Sequence, residues 1–155
     1  MSARESGAFE QTLQTEGVLF YRIEGVSMQP MLRQKRDAVV IRLPQGRLKK
    51  LDVALYRRAS GKYVMHRVVR VLPDGYVIRG DNCFFDETDI TDREIIGVLT
   101  AFVRKGRERE ADDRLYRLYA HLWVASYPLR RILHKCKGFL TEGIWAHLSN
   151  RRRHK

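Results

Sequence analysis

The chain has 155 residues, of which 44% are hydrophobic, and this is enough to bury the core of one domain. Its 30 Lys and Arg against 18 Asp and Glu give a net charge of +12, and most of the excess lies in residues 104–155, with 14 basic and 5 acidic residues. Cys83 and Cys136 are far apart and outside any metal-ligand spacing, which argues against a disulfide framework and a zinc site.

Residues 1–16 are polar. They lack the apolar run and the preceding positive charges of a secretory signal peptide. They are also too short to hold a helix-turn-helix domain. We expect a flexible N-terminus or a short helix in this region.

A serine follows the first β signal of the chain. Residues Val18 to Ile23 predict a strand, and Ser27 comes next, in the loop Glu24–Leu32. A serine that attacks a carbonyl must be exposed at a strand end beside backbone N–H groups that receive the oxyanion. The loop therefore predicts a nucleophile at Ser27.

The loop around this serine has the residues that such a geometry needs. Gly25 permits a sharp turn, and Pro30 suits the start of a short helical turn. The neighbouring backbone of Gly25, Val26 and Met28 would supply the oxyanion donors. On this stretch alone a turn serine that caps the next residues is the more ordinary interpretation, since Gly-x-Ser is a weak signal.

Short apolar runs bounded by turn residues continue along the chain. The segments at Lys62–Val71 and Tyr76–Arg79, joined by Pro73-Asp74-Gly75, predict a β-hairpin. Further strands are predicted at Ala38–Ile41, Leu51–Tyr56 and Ile95–Val103. No long helix separates them, so these six or seven strands predict a mainly β fold with a coiled, mostly antiparallel sheet.

His66 is the one histidine outside the basic C-terminal third, and it lies in the first strand of the hairpin. Taken singly, it is more often a strand histidine whose nitrogens are satisfied. As a general base it would need a carboxylate to orient the imidazole. The segment Gly80–Glu87, directly after the hairpin, offers such carboxylates.

Five motifs together resemble signal peptidase I-like and LexA-like serine peptidases, in the same order, from about Phe20 to Arg104: GVSMQP, DVALYRR, VMHRVVRV, IRGDNCFFDE and IIGVLTAFVR. The chain is most similar to the archaeal and endoplasmic-reticulum type of signal peptidase. In that type, histidine stands where bacterial signal peptidases and LexA-type self-cleaving proteins carry a lysine base. The resemblance implies the coiled antiparallel β peptidase fold, with Ser27 as nucleophile and His66 as general base.

The resemblance also implies that the Gly-Asp-Asn box supplies the acidic residue. Asp81 matches the aspartate of that box directly. A second acidic position is matched by Asp86 or by Glu87, depending on a shift of one residue. Asp81 ranks first and Asp86 second.

Two features depart from the signal peptidase pattern. Those enzymes carry a membrane-spanning segment before the serine, whereas Met1–Val26 contain no long apolar run, so we expect no N-terminal anchor. Gly25 replaces a hydroxyl residue that assists the oxyanion in many signal peptidases, although glycine here is similar to the LexA-like pattern. The oxyanion hole would then consist of backbone N–H groups alone.

Helical spacing replaces the β signals in the last third of the chain. Apolar residues recur at intervals of three and four, first at Leu115, Leu118, Tyr119, Leu122 and Trp123, then at Leu129, Ile132, Leu133, Cys136 and Leu140. We expect a basic amphipathic helical tail over 109–155. It either packs on the β core, binds an anionic membrane surface, or binds nucleic acid, and its apolar content favours membrane over nucleic acid.

The sequence thus predicts a flexible N-terminus at 1–16, a β-rich serine peptidase domain at 17–108, and a helical tail at 109–155. The predicted function is cleavage of a peptide bond in a protein or peptide substrate, as signal peptidase-like processing or self-cleavage, with neither a metal nor an organic cofactor. We expect a cytoplasmic protein without a signal peptide or transmembrane segment, able to attach peripherally to a membrane. The alternative is a non-catalytic basic β module that binds membrane or nucleic acid through its tail.

Overall fold

The computed structural model describes residues 6–136 of the chain. Its strands are β1 (Val18–Arg22), β2 (Ala38–Arg42), β3 (Val53–Arg57), β4 (Tyr63–Leu72), β5 (Gly75–Arg79), β6 (Glu87–Ile90), β7 (Ile95–Arg104) and β8 (Arg107–Glu110). Its helices include α1 (Ser6–Glu16) and α2 (Arg114–Ala125). The strands form one antiparallel sheet in the order β1-β2-β7-β3-β4-β5-β6, with β8 paired to β7. The predicted mainly β, antiparallel fold is confirmed.

Two strands lie outside the predicted segments. β6 lies between the strands predicted at Tyr76–Arg79 and Ile95–Val103, and three of its four residues are not buried. β8 has the sequence Arg-Glu-Arg-Glu and is fully exposed. β6 pairs with β5, and β8 pairs with β7, through backbone hydrogen bonds. Neither strand has the alternation of apolar and polar residues that predicts a half-buried strand from sequence.

The central strand β3 separates two apolar cores. Val53 and Leu55 belong to one cluster, and Ala54 and Tyr56 belong to the other. Successive side chains of a strand point to opposite faces, and both faces of β3 are buried. The strand is therefore apolar at successive positions from Val53 to Tyr56. His66 pairs directly with Ala54 in the sheet, which places it on the same face as Tyr56.

The N-terminal region is helical over α1, and Leu13 of this helix is fully buried in the first core. Phe9 makes edge-to-face contacts with Tyr21 of β1 and Tyr63 of β4, with ring centroids 5.0 and 5.3 Å apart. The helix therefore belongs to the folded β unit.

The chain divides into two compact units, Met1–His121 and Leu122–Lys155, further along than the predicted boundary after residue 108. The first unit includes Tyr116 and Ala120 of α2, both buried. In the second unit the described chain is again helical over 127–136. The predicted helical positions beyond 136 lie outside the described residues. Within residues 6–136 no helix is both long and apolar enough to cross a membrane.

Candidate active site

The loop between β1 and β2 carries Ser27 and is fixed on both sides. At its base, the N–H of Ile23 donates to the carbonyl oxygen of Asp37 at 3.0 Å. After the serine, Met28, Met31 and Leu32 are buried in the first core. Ser27 itself is half-buried, so the loop holds this residue at the boundary between core and solvent.

The backbone around Ser27 offers a restricted set of donors. Gly25 has a φ of +79°, the left-handed conformation that glycine adopts without strain, and its N–H donates to Oε1 of Gln34 at 3.2 Å. Among the described residues, no acceptor is bonded to the N–H groups of Ser27 or Met28. Of the three predicted oxyanion donors, the Gly25 amide is therefore already engaged, whereas the amides of Val26 and Met28 bond to no acceptor in the described chain. The amide of Ser27, which was not among the predicted donors, is open in the same way.

The segment between β5 and β6 brings this loop to the histidine. The N–H of Asn82 donates to the carbonyl oxygen of Ser27 at 2.8 Å, and the side-chain amide of Asn82 donates to the carbonyl oxygen of Val26 at 3.3 Å. A methyl group on Gly80 would lie 2.8 Å from the Ser27 carbonyl oxygen and 2.9 Å from Nε2 of His66. The carbonyl oxygen of Ser27 and the Nε2 atom of His66 therefore border the same small space, and only a glycine fits there.

The other imidazole nitrogen of His66 faces a carboxylate. Nδ1 lies 3.0 Å from Oε1 of Glu87, the first residue of β6. An ionised carboxylate has no proton to donate, so the contact requires the proton to reside on Nδ1. Neutral His66 then carries its lone pair on Nε2, the atom beside Gly80.

Glu87 is held ionised by its other partners. Arg58 donates from Nε and Nη2 to the two carboxylate oxygens at 2.7 and 2.6 Å, and the Tyr56 hydroxyl donates to Oε1 at 2.7 Å. Burial raises the pKa of Glu87, but the hydrogen bonds from Arg58 and Tyr56 outweigh it and hold this pKa below its usual range.

His66 is 2% exposed, and this burial lowers its pKa because the charged imidazolium loses its hydration. The negative charge and hydrogen bond of Glu87 act in the opposite direction without cancelling the effect. The imidazole is therefore neutral and able to accept a proton near neutral pH.

The predicted acidic residues have different partners. Asp81, ranked first in the sequence, receives hydrogen bonds from Nε and Nη2 of the buried Arg67 at 2.8 and 2.7 Å. Asp86, ranked second, lies at the surface with Arg79. The carboxylate that the structure places on Nδ1 of His66 is that of Glu87, which the sequence offered only as the alternative to Asp86.

Arg67 explains why Asp81 is buried. Its Nη1 donates to the carbonyl oxygen of Leu51 at 3.0 Å and to the Tyr116 hydroxyl at 2.9 Å, and its Nη2 lies 3.0 Å from the Met31 sulfur. A fully buried guanidinium requires a counter-ion, which Asp81 supplies. This pair ties the Gly-Asp-Asn segment to β4 and to the nucleophile loop.

Sequence reasoning did not assign a role to Tyr56 or Arg58, although both lie in the quoted motif DVALYRR. The signal that could have found them is strand alternation, because Tyr56 and His66 share one face of the β3–β4 pair. Arg58 comes after β3 ends, where the strand period no longer predicts direction.

The structure contains an open cleft of about 1010 Å³ at the candidate site. Ser27, His66 and Asn82 line it together with apolar side chains of several elements, including Phe9, Leu19, Tyr21, Ile23, Leu55, Val64 and Met65. A cleft of this size, mostly apolar with a few polar groups, has the properties of a ligand-binding site.

Cys83 is a second nucleophilic side chain in the cleft. Its sulfur would lie 2.7 Å from a methyl group on Gly80, and Nε2 of His66 would lie 2.9 Å from the same methyl group. Burial raises the pKa of this thiol, which disfavours the reactive thiolate. Over residues 6–136 there is no group of three or more His, Cys, Asp or Glu side chains suited to a metal ion.

Comparison of the chain with protein-family models, with curated proteins and with solved structures gives no match. The site is therefore interpreted from its own geometry.

Proposed function

We propose that the protein is a serine endopeptidase that cleaves a peptide bond in a protein or peptide substrate, with Ser27 as nucleophile and His66 as general base. The observation that carries the proposal is the hydrogen bond between Glu87 and Nδ1 of His66. It leaves the basic lone pair on Nε2, and Nε2 lies with the Ser27 backbone around Gly80.

In this mechanism, His66 accepts the hydroxyl proton of Ser27 through Nε2 as the oxygen attacks the scissile carbonyl. The N–H groups of Ser27 and Met28 are the candidate donors to the resulting oxyanion. The imidazolium then donates the proton to the leaving amine, and a water molecule, activated in the same way, hydrolyses the acyl-enzyme. Glu87 remains ionised throughout and stabilises the imidazolium.

The sheet offers a way to hold an extended peptide. β4 pairs with β5 only from Arg67 onward, so in the described chain the 64–66 segment has no strand on that edge. Val64, Met65 and His66 line the cleft, as do Leu19 and Tyr21 of the edge strand β1. An extended peptide can bond to such an edge through its main chain and place alternate side chains in the apolar cleft. The motif order supports the finer proposal of a signal peptidase-like or LexA-like peptidase fold.

The purified full chain can be tested on a randomised peptide library, with cleavage products identified by mass spectrometry. Ser27→Ala and His66→Ala should each abolish cleavage as fully as the double variant, because members of one catalytic unit are not additive. His121→Gln, at an exposed position of α2, is the control for histidine loss and should cleave normally.

The competing nucleophile is tested by Cys83→Ala. Loss of cleavage in this variant together with full activity of Ser27→Ala would assign the reaction to the thiol and refute the serine mechanism. Absence of Ser27-dependent products from the whole library would favour a non-catalytic β module.

A further inference from the structure

Exposed apolar side chains are concentrated in one part of the described chain. Leu115, Leu118, Leu122, Leu129, Ile132 and Leu133 are 53–68% exposed, and they make up most of the large hydrophobic side chains exposed in residues 6–136. Scattered exposed apolar side chains need no explanation, but six within nineteen positions do.

In the first compact unit, the exposed apolar residues of this set are Leu115 and Leu118, on the outer side of α2. The helix buries Tyr116 and Ala120, which are four residues apart and so share the inner face. Leu115 and Leu118 are three residues apart and share a different face, which is exposed. Leu115 and Leu118 therefore form an apolar surface of α2 that the first unit does not bury.

In the second unit, Leu129, Ile132 and Leu133 recur at the same helical spacing over 127–136 and are also exposed. Beside them, the Arg130 guanidinium lies 3.9 Å from the centroid of the Trp123 ring. This unit thus has its own apolar surface next to a cation and a partly buried tryptophan.

The charge of the same segment points to the occupant. Residues 114–136 contain five Lys and Arg and no Asp or Glu. Arg114 and Arg117 precede Leu115 and Leu118 by one position each, so a basic row runs beside the exposed leucines. A surface that joins exposed leucines to an excess of positive charge fits anionic lipid, where the leucines enter the headgroup boundary and the cations meet the lipid phosphates.

We propose that residues 114–121 of the first unit and residues 122–136 of the second unit each form a peripheral binding surface for anionic lipid bilayers. The leucines of each unit enter the bilayer interface, and the arginines supply its preference for anionic headgroups. No residue of 114–136 is among those that line the cleft with Ser27, and the lipid binding does not depend on the proposed peptidase activity.

Co-sedimentation of the full chain with vesicles tests the proposal. Vesicles of phosphatidylcholine mixed with phosphatidylglycerol should bind the protein, and pure phosphatidylcholine vesicles should bind it much less. The variants Leu115→Gln/Leu118→Gln and Leu129→Gln/Leu133→Gln should each weaken binding by roughly tenfold or more, because buried apolar area is lost. The matched control is Leu43→Gln/Val71→Gln, two exposed apolar residues of the β region, which should bind as the parent chain does.

The charge component has its own pair of variants. Arg114→Gln/Arg131→Gln should reduce binding by roughly fivefold per residue and should weaken its salt dependence. The control Arg93→Gln/Arg107→Gln removes the same charge from the β unit and should change binding far less. Circular dichroism and thermal unfolding verify that each variant remains folded.

Three outcomes would overturn the proposal: undiminished binding by both leucine variants, equal binding to neutral and anionic vesicles, or no vesicle binding at all. A leucine-dependent dimer in sedimentation velocity, without vesicle binding, would instead assign the surface to contact between copies of the chain.

Discussion

Glu87 accepts hydrogen bonds from Arg58, Tyr56 and His66, and this single carboxylate determines which imidazole nitrogen carries the proton. An acidic residue that merely lies near a histidine changes its pKa. One that bonds to Nδ1 also fixes its tautomer and ring orientation, which is what a base acting through Nε2 requires.

Replacement of the carboxylate tests this role. In Glu87→Gln the amide can donate to Nδ1, which moves the imidazole proton to Nε2 and removes the base. We expect kcat on a library-derived peptide to fall by roughly 10²- to 10⁴-fold. Asp86→Asn, which changes an exposed partner of Arg79, is the control and should have little effect. Imidazole ¹⁵N chemical shifts report the tautomer independently of activity, and an unchanged Nδ1–H form in Glu87→Gln would refute the assignment.

The burial of His66 gives a prediction about pH. Cleavage requires neutral His66, so kcat/KM rises as pH passes upward through the pKa of this residue in the free enzyme. Because burial lowers that pKa, the acidic limb should lie below the ordinary histidine value of about 6.5. As pH falls below about 6.5, the histidine is protonated in the unfolded chain before it is protonated in the folded chain. The free energy of unfolding should therefore decrease from about pH 6.5 downward, until the folded chain is protonated as well.

A pH–rate profile on a soluble peptide measures the limb, and a urea unfolding series across the same pH range measures the stability change. An acidic limb clearly above pH ~6.5 would show that another group titrates, or that His66 is stabilised as its cation.

Gly80, in the turn after β5, lacks a side chain and so leaves space for the atoms of the candidate site around it. A β-carbon on Gly80 would approach the Ser27 carbonyl oxygen, the Cys83 sulfur and Nε2 of His66, each at less than 3.0 Å. The Ser27 carbonyl is backbone and is already bonded to Asn82, so it cannot rotate away. The nucleophile loop and the imidazole must then separate.

Gly80→Ala should therefore reduce kcat by roughly 10²-fold, since a displacement of about 1 Å between reacting groups has that effect. The control is Gly106→Ala in the β7–β8 turn. There φ is +75° and no atom lies within 4 Å, so the substitution costs about 1 kcal/mol of backbone strain without crowding. Loss of stability with unchanged kcat in both variants would contradict the spatial role of Gly80.

At the scale of the whole molecule, the sequence predicts the parts that depend on a local pattern. The strands around Val39, Leu55 and Val68 follow apolar runs, and the start of α2 follows its helical spacing. β8 could not be predicted in this way, because its formation depends on backbone pairing with β7.

In the candidate site too, some residues are predictable from sequence and others depend on the fold. Ser27 and His66 are predicted from the order of motifs along the chain, whereas the acidic partner depends on the path of the chain between β5 and β6. That path turns Asp81 toward a buried arginine and brings Glu87 to the histidine. The sequence contains no sign of the competition, because Arg67 is one of many arginines until the fold buries it.

The hydrogen bond from Arg67 to Tyr116 limits where recombination could replace the C-terminal part of the chain. Tyr116 belongs to the first core, and its hydroxyl accepts a hydrogen bond from the same guanidinium that holds Asp81. A recombination event that joined a foreign tail after residue 108 would remove that side chain and leave a buried cation with one fewer acceptor. The structural unit of the β domain therefore extends through Ala120, and only a tail joined beyond that residue would leave this core complete.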